Sequence, residues 1–109
     1  MPLPDILKTI TTQTDTKIAT AKKPRHSDHY MATLHAQGTF DSTTLTLKTS
    51  VDGGSTLVTV TESGSAKTLT SSGSLNIVLG FSFQPDALID IYLTSSGGGG
   101  STDIDVYLT

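Results

Sequence analysis

From Tyr30 onward the chain is a series of short runs in which apolar and polar residues alternate, cut at close intervals by turn-forming residues. "YMATLHAQ" sets Tyr30, Ala32, Leu34 and Ala36 on one side and Met31, Thr33, His35 and Gln37 on the other. "TTLTLKTS" likewise sets Leu45 and Leu47 against Thr44, Thr46 and Lys48. The texture continues through "LVTVT", "KTLT", "LNIVL", "LIDIYLT" and "DIDVYLT". A period of two sends successive side chains to opposite faces of a strand. The separators are Gly38, Asp52-Gly53-Gly54, Ser63-Gly64-Ser65, Ser71-Ser72-Gly73, Gln84-Pro85-Asp86 and the glycines at 97–100. Each half-buried strand needs a facing sheet to cover its apolar side, so this spacing predicts an all-β sandwich or barrel. The expected core is Leu34, Leu45, Leu47, Val58, Val60, Leu75, Ile77, Leu79, Ile91, Leu93, Val106 and Leu108. Phe81 and Phe83 share one face and are either core or an exposed contact patch.

Residues 1–29 show no sustained period. Ile6, Leu7 and Ile10 could begin a helical stripe, but the Thr-rich "TTQTDTKIAT" disfavours helix because β-branching restricts χ1. Pro2, Pro4 and Pro24 push their predecessors toward extended geometry. The expectation is an extended N-terminal arm over 1–29 and one β domain over 30–109. The chain's 20 Thr and 13 Ser agree with strands joined by turns. Up to Tyr30 five bases face three acids, a net +2, whereas beyond it two bases face seven acids, a net −5. A mildly basic arm thus precedes an acidic body. The absence of cysteine excludes disulfides and thiolate metal sites. No window approaches the roughly 18 apolar residues of a membrane helix, and "MPLPDILKTI" lacks a signal-peptide layout, so a soluble chain not exported by that route is expected.

Few residues carry a chemical signal. "SVDGGSTL" resembles the Asp-box hairpin of sialidase-type propellers in its spacing Ser50-x-Asp52-x-Gly54-x-Thr56. It occurs once in a chain too short for a propeller, so Ser50, Asp52, Gly53, Gly54 and Thr56 are expected to form a structural hairpin turn. His26, Asp28, His29 and His35 lack the further ligands of a four-ligand shell, and no metal or other cofactor is expected. There is no G-x-S-x-G elbow and no phosphate-binding glycine loop, so no catalytic residue is assigned and the chain is not read as an enzyme. Asp103 and Asp105 share an outer strand face, which suits charge protection of an edge. "AKKPRH" offers too few cations, and no aromatics, for useful nucleic-acid affinity; an acidic protein surface or plain solvation suits it better. "DIYLT" at 90–94 recurs as "DVYLT" at 105–109. The two copies read either as an antiparallel pair joined by a mobile glycine loop or as similar strands arising from composition alone.

The stretch "HAQGTFDSTTLTLKTSVDGGSTLVTV", His35 to Val60, resembles small β-sandwich proteins of tailed bacteriophage virions, with Gly38-Thr39-Phe40 and Ser50 to Leu57 as its most specific parts. "GSLNIVLG" and "DIDVYLT" fit the later part of that pattern. The resemblance implies a small antiparallel β-sandwich of jelly-roll-like character and a non-enzymatic structural role. Most directly, that role is a capsid decoration (cement) protein on the capsid exterior, made in the host cytoplasm. Its implied partners are the major capsid protein and sister copies in a homo-oligomer, a trimer or dimer, without direct contact to nucleic acid or membrane. Ile6, Leu7, Ile10, Lys22, Lys23 and Arg25 are the expected capsid or subunit contacts, on an arm that orders only when bound. The alternatives are a head-to-tail or tail component and a carbohydrate-binding module using Tyr92 and Tyr107 on one outer face.

Overall fold

A computed structural model describes residues 7–22, 29–80 and 88–109. Its strands are β1 (Lys8–Ile10), β2 (Asp15–Lys22), β3 (His29–Thr39), β4 (Thr44–Ser50), β5 (Val58–Thr59), β6 (Thr61–Glu62), β7 (Ser65–Ala66), β8 (Thr68–Leu69), β9 (Gly73–Gly80), β10 (Leu88–Ser96) and β11 (Asp103–Leu108). One sheet has the order β1-β11-β3-β9 and the other β2-β10-β4-β5, with β8 also on β4. All pairings are antiparallel. With β5 and β8 taken as one interrupted border strand, this is the strand order of a jelly roll, a double sheet in which nearly every connection passes from one sheet to the other. The fold is an antiparallel β-sandwich.

The core lies where the inner faces meet. Ile10, Leu34, Ala36, Ile77, Ile104 and Val106 come from the first sheet, and Ile18, Ala21, Leu45, Leu47, Ile91 and Leu93 from the second. Burying each large aliphatic side chain is worth about 1.5–3 kcal/mol. Val60, Leu75 and Leu108 pack against this core half-buried. Val58 departs from expectation: it pairs with Thr49 near the end of its ladder and is 60% exposed.

The stretch expected as an arm is, over its described residues, part of both sheets. β1 borders β11 and β2 borders β10. Its aperiodicity has a local cause: Tyr92 pairs with Lys17 and Ile91 with Ala19, which leaves Ile18 as an extra residue in a β-bulge. The bulge changes the phase, so that Ile18 and Ala21, three apart, both point inward. Ile10 is 3% exposed and belongs to the core, so it is not a surface contact in the free chain.

The repeated "DIYLT" and "DVYLT" do not pair with one another. β10 lies between β2 and β4, β11 between β1 and β3, and the glycine segment crosses from sheet to sheet. The faces were legible, since Ile91, Leu93 and Val106 are buried, but Tyr92 and Tyr107 project from opposite sheets. They cannot form one stacking platform for sugar rings. The glycines are also not a free linker. Gly98 N–H donates to Gln13 Oε1 (3.1 Å) and Gly99 N–H to the Asp41 carbonyl (3.0 Å).

Candidate assembly surface

The two ends of the sandwich differ in chemistry. At one end the connections 11–14, 40–43 and 97–102 meet in a polar knot. Thr43 and Thr102, both buried, share a hydroxyl–hydroxyl bond of 2.9 Å. Gln13 Nε2 donates to both, at 3.2 and 3.4 Å. Buried Ser95 donates to the Thr12 carbonyl (2.7 Å) and accepts from the Thr14 N–H (3.0 Å). Asp41 and Ser42 take left-handed backbone conformations (φ 48° and 68°) in the tight β3–β4 turn, and Asp41 Oδ2 accepts from the Ser101 N–H (2.9 Å). No buried side-chain polar atom among the described residues lacks a partner. This end is closed.

The opposite end is marked by the pairs Lys22–Leu88, His29–Gly80 and Asp90–Ser50. Here the Ser50–Thr56 segment joins β4 to β5 through a side-chain-braced turn. Ser50 Oγ donates to Asp52 Oδ1 (2.7 Å) and accepts from the Gly54 N–H (2.9 Å). Asp52 Oδ1 also accepts from the Thr56 N–H (2.9 Å). The Ser50 hydroxyl and then the Thr56 N–H hold the Asp52 carboxyl below the usual carboxylate range, although it is exposed. Gly53 and Gly54 take φ of +77° and +98°, and a Cβ on Gly54 would run into the Tyr92 hydroxyl. Tyr92 therefore supports the turn from the outer face of β10.

Exposed large apolar residues gather toward this end. Val51 is 80% exposed in the turn, Leu88 49% at the last β10–β2 pair, and Val58 sits one residue inside the β4 end. Met31 and Val78 face each other across β3 and β9, two residues from the terminal His29–Gly80 pair, and are 72% and 48% exposed. They border an open cavity of about 340 Å³ with Thr33, Asn76 and Thr109. The knotted end presents no such residue among those described.

Of the expected contacts, Leu7 is exposed beside β11, Lys22 is exposed on β2, and Ile6, Lys23 and Arg25 lie outside the described residues, as do Phe81 and Phe83. The described strand termini Lys22, His29, Gly80 and Leu88 stand at the apolar end. Met31, Val51, Val78 and Leu88 were missed, although Met31 already stood out as the apolar member of an otherwise polar strand face. Of the histidines, His35 bonds Thr109 Oγ1 (3.3 Å), and the described residues hold no group of three or more His, Cys, Asp or Glu placed for a metal. Asp105 accepts from Thr9 Oγ1 (2.9 Å) on the outer face of β11. Among the described residues no helix is long and apolar enough to cross a membrane. Compared with family models, curated proteins and solved structures, the chain matches none.

Proposed function

We propose that the chain is a non-enzymatic virion structural protein of a tailed phage, a capsid decoration protein that docks on the major capsid protein by the end of the sandwich bearing Val51, Val58 and Leu88. The observation that carries this is the segregation of exposed apolar side chains to one end of a sandwich whose other end is sealed by hydrogen bonds. Clustered exposed apolar surface marks an interaction site, and a cement protein works by contact surface alone. The jelly-roll strand order recurs in viral capsid proteins and in unrelated families, so it supports the reading by analogy only.

The test is co-sedimentation with capsid shells assembled without the protein. Saturable pelleting at a fixed ratio to the capsid protein is expected. The double variant Val51→Asp, Leu88→Asp should weaken binding at least tenfold, because each carboxylate loses water on docking, while Gln37→Asp, toward the knotted end, should bind as the parent does. Failure to pellet, or equal loss in all variants, refutes the reading and shifts the weight to a tail component.

A further inference from the structure

The borders of the two sheets are protected unequally. β1 is three residues long and carries Lys8. β2 presents Asp15, Lys17 and Lys22 and is bulged at Ile18. β5 and β8 are two residues each, split by the β6–β7 hairpin. Short length, charge and bulges are the devices that keep sheet edges from pairing with other chains. β9 has none of them: its eight residues, "GSLNIVLG", contain no charge and no proline and pair with β3 in unbroken register.

The register shows which main-chain groups of β9 point away from β3. Thr33 and Thr109 exchange both backbone hydrogen bonds at 3.0 Å, so the odd-numbered residues of β3 direct N–H and C=O toward β11. The even-numbered residues Ala32, Leu34 and Ala36 therefore bond β9 at Ile77, Leu75 and Gly73. The N–H and C=O groups of Ser74, Asn76 and Val78 are left pointing out of the sheet. Among the described residues one of these groups has a partner, the Asn76 carbonyl, which accepts from the Lys67 ammonium.

We infer that β9 pairs antiparallel with β9 of a second copy about a two-fold axis at Val78, joining the two four-stranded sheets into one. A strand on such an axis meets its own sequence, so any charge on it faces its like; β2 would bring Lys17 and Lys22 against themselves, whereas β9 brings no charge to the axis. An acidic or basic partner would find no charge on this strand to read. The register centred on Val78 sets Met31, Val78 and the same two residues of the second copy in one apolar row on the outer face. It also places Asn76 opposite Gly80, whose missing side chain leaves room for the Lys67 chain. The Asn76 carbonyl has a second lone pair for the new bond. The inference is independent of capsid binding.

The test is light scattering of the purified protein, without capsids, from low to high micromolar concentration. A concentration-dependent mass of twice the chain is expected. Val78→Lys puts like charges on the axis and should raise the dissociation constant at least tenfold; Thr20→Lys, on the already charged β2, should not. Val78→Pro removes the outward N–H and no hydrogen bond to β3, a change an edge position tolerates, and should also weaken pairing. Thermal melts confirm that each variant is folded. A wild-type protein monomeric throughout, or a dimer that survives Val78→Lys, overturns the inference.

Discussion

Replacing Gly98 by alanine tests whether the glycine segment is a linker or a fitted part of the closed end. A Cβ there would overlap the Thr43 hydroxyl and come within 2.7 Å of Gln13 Nε2 and 3.0 Å of Thr102 Oγ1. Thr43 is 1% exposed, so its hydroxyl cannot turn to solvent without opening the β3–β4 turn. Displacing it breaks the bonds to Thr102 (2.9 Å) and Gln13 (3.2 Å). Each such bond contributes about 1 kcal/mol net, and stranding a buried hydroxyl costs about 1–3 kcal/mol more. The expected loss is about 3–5 kcal/mol, or at least roughly 12 °C in melting temperature for a domain of this size. Gly100 is the internal control, since a Cβ there meets nothing within 4 Å. Gly100→Ala should leave stability unchanged or raise it by about 0.4–1 kcal/mol through the unfolded chain. Both are read by circular-dichroism melts and urea titration at neutral pH. A Gly98→Ala protein melting within about 3 °C of the parent would refute the fitted-loop account.

Ile18→Ala should destabilise the isolated protein by about 2–5 kcal/mol in urea titration, as for other buried aliphatic truncations; an arm that orders only on a partner would show no change. Asp52 has a folded-state pKa below its unfolded value, so its contribution is present above about pH 4 and is lost as pH falls through the folded value. The gap in urea midpoint between wild type and Asp52→Asn should therefore be widest near neutral pH and narrow on acidification, and a gap constant with pH would refute the assigned bonds.

Sandwich architecture was legible because strands such as β3, β4 and β10 keep strict alternation, and a two-residue period has one structural meaning once many such runs follow one another. β2 was not legible, because a single extra residue at Ile18 breaks the alternation and the strand is then indistinguishable from Thr-rich coil. Strand partners were beyond reach for a different reason. The DIYLT and DVYLT segments present the same faces whether paired with each other or separated by sheet, and the separation rests on ladders with strands far away in the chain, β10 with β2 and β4 and β11 with β1 and β3. The candidate surface was half visible. Met31 on a polar strand face was a signal in the sequence, but the gathering of Val51, Val58, Val78 and Leu88 near one end depends on the jelly-roll order.

The contrast between the ends has a physical logic that composition alone hides. Elsewhere the outward positions of the sheets are mostly polar, with Tyr92 and Tyr107 among them, and several hydrogen-bond across strands, as Thr20 does with Asp90 and Thr94 with Asp15. Threonine at Val78 or Val51 would keep the β-branch and add solubility, so the apolar side chains there do not serve the strand itself. They yield free energy only when something covers them, about 1.5–3 kcal/mol for each one fully buried. The knot at the far end complements this. It ties three loops together through Gln13, Thr43, Thr102 and Gly98, and a scaffold braced in this way lowers the ordering cost of any contact its described strands make. On the proposed reading, the hydrogen-bonded end would hold the sandwich in shape while the end with exposed apolar side chains makes the contact.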